Sequence, residues 1–400
     1  MSTESIFRSG LEGKSDVIVT YEKTDATLEI VVESSVKKLF GRHIRERAEK
    51  SCREFGVTKG KLHIKDDGAL DYVLMARLEA VFRKAGVYTP APFKALPRAA
   101  GAKERLRRSR LYLPGNQPDL SVNAGLFGGD SNILDLEDSV APDQKLDARV
   151  LVRRTLEMAD RFFPQGEIIV RMNPLSGPFG RDDLREIVPA APHTLLIPKC
   201  ESVEDIKAVE SAVAEIEKAS GMTVGRTLFM PLLETARGVM NAHAVATASS
   251  RNVALCFGAE DFTRDLGIPR TVTGQETLQA RATVVMGSRA AGLDAIDTVF
   301  SDVADEKGLY NSALEAKAMG FVGKGVIHPR QIPVVHQAFQ PSDAELEEAK
   351  KIVLALREAE KTGSGVVALG SKMVDAPVAA RARKLIDLAR KMNLPGLEEF

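Results

Sequence analysis

Two carboxylates, Glu234 and Asp261, could together bind a metal ion. Each follows an apolar run, 227–233 and 252–257, of the kind that forms buried parallel strands, so both stand where successive strands end. Carboxylates that converge at strand ends, with room for water and substrate oxygens, suit Mg²⁺. Either residue alone is more typical of a cap on the following helix. The pair favours a metal site.

More polar side chains follow apolar runs of this kind than helix capping requires. They are Asp135, Glu137, Asp138, Arg171, Asn173, Lys199, Glu201 and His328. Arg171 ends a buried run and must be paired there, and a fixed guanidinium can neutralise a carboxylate or a developing enolate oxygen. The alternative role, a salt bridge to Glu137 or Asp135, does not exclude catalysis. His328 is predicted to be a core histidine rather than a metal ligand.

Short apolar runs alternate with amphipathic helical stretches through the middle of the chain. The runs are 110–113, 132–136, 167–171, 194–198, 227–233, 252–257, 294–300 and 325–328. This alternation predicts an α/β fold with right-handed βαβ units, and eight units over about 230 residues are typical of a (β/α)8 TIM barrel. A doubly wound sheet is the alternative. No Gly-rich fingerprint follows the first run, where residues 114–116 form only a turn.

The pattern of the first 86 residues predicts a small α+β domain. Two alternating stretches, 16–21 and 26–33, flank the turn-like residues 23–25 and predict a β-hairpin. The elements that follow are an amphipathic helix over 40–55, a short strand over 61–65 and a helix over 70–81.

The remaining boundaries follow from proline, glycine and charge. Residues 87–104 contain three prolines and predict a linker, which leaves 105–340 for the barrel and 341–400 for a helical C-terminal extension. The extension predicts a charged helix over 343–360, a Gly-rich hinge over 361–370 and a last helix over 378–392. Asp375 precedes that last helix and is predicted to cap it. A hinged lid could also carry this carboxylate to the barrel mouth as a base.

The composition limits the classes of function. A chain of 400 residues with 44% hydrophobic and 28% charged residues is typical of a soluble protein with more than one domain. Lys plus Arg and Asp plus Glu both number 55, which argues against nucleic-acid binding. The three cysteines are far apart, which argues against disulfides and structural zinc. No membrane span or signal peptide is apparent, so the cytoplasm is the expected location.

Residues from about 105 to 390 resemble the citrate lyase β-subunit-like enzymes of the HpcH/HpaI aldolase superfamily, which include citryl, citramalyl and malyl thioester lyases. The matching stretches are RLYLPGN at 110–116, LDLED at 134–138, VRMN at 170–173, LIPK at 196–199, LETARG at 233–238, GAED at 258–261, VIHP at 326–329 and MVDAP at 373–377. The resemblance implies a Mg²⁺-dependent retro-aldol (Claisen-type) cleavage of a 3-hydroxy-carboxyacyl thioester. The products would be an acetyl thioester and a 2-oxo acid, and the enzyme a trimer.

The resemblance also implies roles for individual residues. Glu234 and Asp261 would hold the metal beside the 2-oxo acid portion, and Arg171 would stabilise the thioester enolate. Asp375, supplied by a neighbouring subunit, would move the proton at the acetyl carbon. Glu137 belongs with Arg171 and Asp375 in the expected catalytic set. The residues expected to bind substrate are Arg171, Glu234, Tyr112, Ile327, His328 and Arg110.

One departure concerns the phosphates of the acyl carrier. Some relatives that use coenzyme A carry lysines soon after the Pro-Gly-Asn turn, where this chain has Asp119 and Asn123. The phosphate contacts are therefore expected from the basic run before the first strand, at Arg107, Arg108 or Arg110. Taken alone, that run is more typical of a solvated surface.

The first domain resembles the citrate lyase acyl carrier protein, the γ subunit. The matching stretches are SDVIV at 15–19, DGALD at 67–71 and ARL at 76–78. The serine that carries the prosthetic group in that family is replaced here by Lys14, which cannot form the phosphodiester. Either Ser15 is modified instead, or the domain persists as a docking module and free coenzyme A thioesters are the substrates.

Three functions remain open. The first is a lyase for citramalyl, malyl or citryl thioesters, and the second is a thioesterase or synthase that uses the same metal and enolate. The third is a non-catalytic docking subunit. The presence of Glu234, Asp261, Arg171 and Asp375 argues against this last function, because charges clustered at a barrel mouth are costly without a role.

Overall fold

Eight parallel strands form a closed barrel in the computed structural model, which describes residues 5–361, 367–369 and 372–400. Each strand pairs with its neighbours in the chain, and the last pairs with the first. The strands are β5 (Ser109–Pro114), β6 (Ser131–Asp135), β7 (Glu167–Arg171), β8 (Thr194–Ile197), β9 (Leu228–Leu233), β10 (Ala254–Phe257), β11 (Asp294–Asp297) and β12 (Gly323–Val326). The barrel predicted from the alternating apolar runs is confirmed.

Helices surround the barrel and bury its outer face. They are α3 (Pro118–Val122), α4 (Lys145–Glu157), α5 (Ala159–Phe162), α6 (Gly180–Ile187), α7 (Val203–Ala219), α8 (Ala236–Met240), α9 (Ala242–Thr247), α10 (Ala259–Leu266), α11 (Leu278–Ala290), α12 (Glu306–Met319) and α13 (Gln331–Phe339), with 3-10 turns at Ala124–Phe127, Pro142–Gln144 and Gln275–Thr277. Strand residues alternate between two cores. Leu111 and Leu113 pack outward with the helices, whereas Tyr112 packs against the barrel interior.

The N-terminal region forms a four-stranded sheet with two helices. Its elements are β1 (Ile6–Ser9), β2 (Val17–Thr27), β3 (Glu29–Ser34), α1 (Lys37–Glu54), β4 (Lys59–Asp66) and α2 (Asp71–Lys84), and the strand order is β1-β2-β4-β3. The predicted hairpin is wrong, because β4 lies between β2 and β3 and pairs with both. The polar residues 23–25 lie within β2, where the register against β4 shifts. Exposed polar residues at a strand irregularity resemble a turn in the sequence.

The hydrophobic core of the N-terminal region extends onto helix α4 of the barrel. Val150 and Leu151 of α4 belong to the same buried cluster as the N-terminal residues. Arg153 of α4 forms ion pairs with Glu79 of α2 at 2.5 Å and with Glu186 of α6 at 3.0 Å. All three side chains are buried. These contacts hold the N-terminal region firmly against one side of the barrel.

The segment predicted to be a linker, 87–104, contains no helix or strand and crosses the barrel surface. Arg98 donates hydrogen bonds to the carbonyl oxygens of Ala190 and Ala191 at 3.1 and 3.0 Å. Arg226 donates in turn to the carbonyl oxygen of Arg98 at 2.8 Å. Side chain to backbone hydrogen bonds therefore anchor the segment to the barrel around Arg98.

The C-terminal extension packs two helices against each other around a small core of its own. Its elements are α14 (Asp343–Lys361), β13 (Val367–Leu369), β14 (Lys372–Val374) and α15 (Ala376–Lys391). Within the hinge predicted over 361–370, residues 367–369 form a strand, while 362–366 and 370 lie outside the described residues. Across the described part of the chain, no helix combines the length and the hydropathy that spanning a bilayer requires. All three cysteines are unpaired and buried.

Candidate active site

A cavity of about 350 Å³ opens at the C-terminal ends of the barrel strands. Residues from several distant strands meet there, because parallel strands bring their carboxyl ends to one rim. The residues singled out in the sequence that line it are Arg110, Tyr112, Asp135, Asp138, Arg171, Glu234, Asp261 and Ile327. Glu137 lies behind Arg171 rather than in the wall, and His328 and Asp375 are not part of the lining.

Glu234 stands directly after β9 with its side chain 2% exposed. Its Oε1 accepts a hydrogen bond from the backbone N–H of Lys199 at 2.8 Å. A Cβ atom on Gly258 would lie 2.9 Å from Oε2, so glycine gives this carboxylate its space. No hydrogen bond to Oε2 from a protein group is found within the described ranges, and Oε2 is left for a ligand.

Asp261 lies in the first turn of α10, and its Oδ1 forms a salt bridge with Nη2 of Arg264 at 2.6 Å. Neither predicted metal ligand caps a helix. Thr235 caps α8 by accepting from Gly238, and Gly258 occupies the N-cap of α10. The alternative of simple helix capping is therefore wrong for both carboxylates.

The electrostatics of Glu234 fit a cation. Burial raises the pKa of Glu234 well above its ordinary value, and the negative charges of Asp261 and Glu137 raise it further. A divalent ion held by Glu234 and Asp261 would relieve this repulsion. The described residues contain no group of three or more His, Cys, Asp or Glu side chains arranged for a metal. Two carboxylates with open positions for water and substrate oxygens match the preference of Mg²⁺.

Arg171 is held rigidly at the end of β7. Its Nε and Nη2 donate to the two carboxylate oxygens of Asp135, each at 2.6 Å, and Nη1 lies 2.9 Å from Oε2 of Glu137. Its guanidinium also lies 5.4 Å from the ring centroid of Tyr112. Although burial acts to raise it, the pKa of Asp135 is held below its ordinary value by Arg171. The salt bridges considered as an alternative role are present, and they orient the guanidinium at the cavity.

Lys199 received no role from the sequence, although it was counted among the polar residues at strand ends. Its ammonium contacts Glu137 and lies 3.5 Å from Asp138, while its backbone N–H holds Glu234. Its φ of 53° lies in the left-handed region, a strained conformation for lysine. Lys199 thus links the carboxylates of the predicted metal site to those around Arg171. The sequence signals for it were its place after an apolar run and its presence in the LIPK stretch at 196–199.

The predicted phosphate contacts from Arg107 and Arg108 are wrong. Both residues precede β5 and therefore lie at the opposite, N-terminal end of the barrel. Arg107 pairs with Glu167 at 2.8 Å and Arg108 with Asp130 at 2.9 Å. Arg110 is different, because it lies inside the barrel and is 1% exposed. Successive side chains at the start of a strand point to opposite faces of the sheet, so a run of basic residues there does not form one surface.

His328 and Asp375 occupy less central positions. His328 is half-buried and its Nδ1 accepts from the backbone N–H of Arg330, so its predicted place in the core is wrong. The residue follows β12 at the rim, where solvent reaches it. Asp375 caps α15 by accepting from Val378 at 3.1 Å, as the sequence predicted. Its carboxylate is half-buried and stands outside the cavity of its own chain.

Comparisons with known proteins cover both regions. A family model described as HpcH/HpaI aldolase/citrate lyase matches residues 108–329. A second model, described as malonate decarboxylase delta subunit (MdcD) under the name ACP, matches residues 6–85. These two matches confirm the resemblances drawn from the motifs.

Individual relatives match over the larger part of the chain. Citrate lyase subunit beta of Leuconostoc mesenteroides subsp. cremoris is 39% identical over 291 residues, which are 73% of this chain and 96% of that protein. Mitochondrial citramalyl-CoA lyase of Mus musculus is 35% identical over 302 residues, or 72% and 87%. A solved structure of CitE from Mycobacterium tuberculosis, in complex with magnesium, acetoacetate and coenzyme A, gives a TM-score of 0.59 at 31% identity, covering 71% of this chain and 98% of that one.

Proposed function

Since the chain belongs to the HpcH/HpaI aldolase/citrate lyase family, we propose that it is a Mg²⁺-dependent carbon–carbon lyase. It would cleave a 3-hydroxy-carboxyacyl thioester into an acetyl thioester and a 2-oxo acid. The observation that carries this proposal is the pairing of Glu234 and Asp261 at one cavity, where their negative charges repel each other, beside the fixed guanidinium of Arg171. A retro-aldol cleavage needs a Lewis acid at the hydroxyl oxygen that becomes the new carbonyl. It also needs a cation beside the enolate oxygen.

The residues of the cavity divide this chemistry between them. Glu234 and Asp261 would hold Mg²⁺, which would polarise the hydroxyl that becomes the 2-oxo group, so that the hydroxyl proton is released to solvent. Arg171 would carry the negative charge that develops on the thioester oxygen as the carbon–carbon bond breaks. Asp135 and Glu137 fix the orientation of Arg171, so little reorganisation is needed as that charge forms. Tyr112 packs under the guanidinium and closes that side of the cavity.

Asp375 is proposed as the group that moves the proton at the acetyl carbon. Its place outside the cavity of its own chain supports delivery from a neighbouring copy. We therefore propose a homotrimer in which each extension acts as a lid for the next subunit. In that arrangement the site is incomplete in the monomer.

The N-terminal region is proposed as a fixed assembly module rather than a swinging carrier. A carrier must move its prosthetic group between sites, whereas this region shares a core and buried ion pairs with the barrel. Lys14 stands at the position of the carrier serine, and Ser15 is half-buried with its N–H bonded to Asp67. These features favour free coenzyme A thioesters as the substrates.

A coupled assay tests the proposed reaction. The purified protein is given Mg²⁺ and citryl-CoA, citramalyl-CoA or malyl-CoA, and the released oxaloacetate, pyruvate or glyoxylate is measured. We expect turnover of one thioester, loss of turnover with chelator, and at least a 100-fold loss in Glu234→Gln and Asp261→Asn. Glu204→Gln, an exposed acid on α7, is the matched control. Release of free coenzyme A without a 2-oxo acid would instead identify a thioesterase. No reaction at all would favour the docking subunit.

A further inference from the structure

Arg110 lies on the floor of the cavity, inside the barrel. It is the second residue of β5, it is paired in register with Gly325 of β12, and both line the cavity. Its Nη1 lies 3.0 Å from the sulfur of Cys256 and 3.7 Å from that of Met230. Its Nε is buried and has no hydrogen-bond partner. Sulfur is a weak acceptor, so these contacts satisfy the guanidinium poorly.

The positive charge of Arg110 is unmatched. Within the residues that the structure describes, no carboxylate lies within 4.0 Å of its guanidinium. The other buried arginines all have one: Arg77 pairs with Asp16, Arg107 with Glu167, Arg149 with Asp183, Arg153 with Glu186, Arg251 with Glu217 and Arg281 with Asp297. Burial raises the pKa of the Cys256 thiol, so this neighbour is neutral and gives no counter-charge.

The nearby carboxylates of the cavity are engaged elsewhere. Asp135 is bound to Arg171, and Asp297 is bound to Arg281 and Lys324. Glu234 and Asp261 form the proposed metal site. An arginine buried without a partner destabilises the protein, unless a ligand supplies the anion. The floor of the cavity therefore has the charge that complements an anionic group.

We propose that Arg110 binds a second carboxylate of the substrate, so that the 2-oxo acid portion is a dicarboxylate and the thioester is of the citryl type. This inference rests on the proposed function, in which the first carboxylate and the hydroxyl go to Mg²⁺. Of the three candidate thioesters, citryl carries a carboxymethyl group where citramalyl has methyl and malyl has hydrogen. Only the citryl group brings an additional negative charge to the floor.

Binding of stable 2-hydroxy acids tests the subsite without turnover. Malate and lactate differ by one carboxylate, and calorimetry in Mg²⁺ measures both. The wild type should bind malate roughly 10–100-fold more tightly than lactate. Methionine is similar in size to arginine but has no charge. Arg110→Met should therefore reduce malate affinity to that of lactate, and its lactate affinity should stay within about threefold of the wild-type value. Arg42→Met, an exposed arginine on α1, should change neither affinity. An unchanged malate preference in Arg110→Met would overturn the proposal.

A second measurement separates this role from a structural one. Removing an unpaired buried charge should keep or raise the melting temperature of the ligand-free protein, whereas loss of a structural arginine lowers it. A lower melting temperature, together with equal malate affinity, would assign Arg110 to the fold. If chloride stabilises the wild type and malate does not displace it, the floor binds an inorganic anion. That result would also overturn the proposal.

The coupled assay tests the lyase proposal and the Arg110 subsite independently of each other. Arg110→Met should lower kcat/KM for citryl-CoA by roughly 100-fold or more. A malate preference that depends on Arg110, without turnover of any thioester, would remove the lyase proposal and keep the subsite. Turnover of citramalyl-CoA or malyl-CoA, with no malate preference, would keep the lyase and remove the subsite.

Discussion

Arg77 of the N-terminal region donates a hydrogen bond to the backbone carbonyl oxygen of Asn116, just after barrel strand β5, at 2.8 Å. The same guanidinium holds Asp16 with two bonds, at 3.0 and 2.8 Å. Both side chains are buried. The loop around Asp16, where the resemblance to the acyl carrier protein places the carrier site, is thereby fixed to the rim of the barrel.

Arg77→Met should destabilise the whole protein, because it leaves the carboxylate of Asp16 buried and unpaired. The expected loss is roughly 3–5 kcal/mol, equivalent to about 4–6 °C in melting temperature for a chain of this size. Arg42→Met is the control, since Arg42 is 92% exposed in its pair with Glu46 and should change the melting temperature by less than about 1 °C. Equal melting temperatures for the two variants would mean that the interface does not depend on Arg77.

Much of the barrel could be predicted from the local hydrophobic pattern of the sequence. Each apolar run in the sequence overlaps a strand, because burial on both faces leaves the same signature in every parallel strand. Glu234 and Asp261 were placed at the rim by their position after two such runs, and they line one cavity there. The family motifs then supplied roles that position alone could not.

The errors arose where distant contacts decide the outcome. Whether β2 pairs with β3 depends on β4, which arrives in the chain only after α1. Arg107 and Arg110 look alike in the sequence, yet one meets Glu167 and the other meets Cys256, 146 residues away. An unmatched charge can be recognised only after all possible partners have been placed. No local motif carries that information.

Glu234→Gln should abolish the stabilisation of the protein by Mg²⁺. With Mg²⁺ at a hundred times its dissociation constant, the wild type should gain about 2.7 kcal/mol, or about 3 °C in melting temperature. The variant should gain nothing and should be as stable as the metal-free wild type or more so, because a buried charge close to Asp261 has been removed. Thermal melts with Mg²⁺ and with chelator measure both effects. A full Mg²⁺ response in Glu234→Gln would remove Glu234 from the metal site.

Acid should destabilise the protein partly through His193. Burial lowers the pKa of His193 to about 4, and its Nδ1 accepts a hydrogen bond from the backbone N–H of Ile168. Below the ordinary histidine pKa of about 6.5, the unfolded chain binds a proton that the folded protein does not. The free energy of unfolding therefore falls as the pH decreases from about 6.5 towards 4.

His193→Asn keeps an acceptor for Ile168 but cannot be protonated, so it isolates this effect. Between pH 7 and pH 5 the melting temperature of the wild type should fall by about 1–3 °C more than that of the variant, which corresponds to roughly 1–2 kcal/mol after allowance for partial solvent exposure. Parallel decreases in both proteins would mean that His193 titrates normally in the folded state.

Asp375→Asn should keep its fold and its Mg²⁺ response but lose at least 100-fold in kcat, because asparagine still caps α15 and cannot move a proton. If the lid acts in trans, an oligomer that mixes Asp375→Asn with Arg171→Met contains some sites with both native residues. Those sites should recover up to about a quarter of wild-type activity, whereas neither variant alone is active. Native mass spectrometry must first establish that mixed oligomers form. Mixed oligomers without activity would show that Asp375 does not complete the site of a neighbouring subunit.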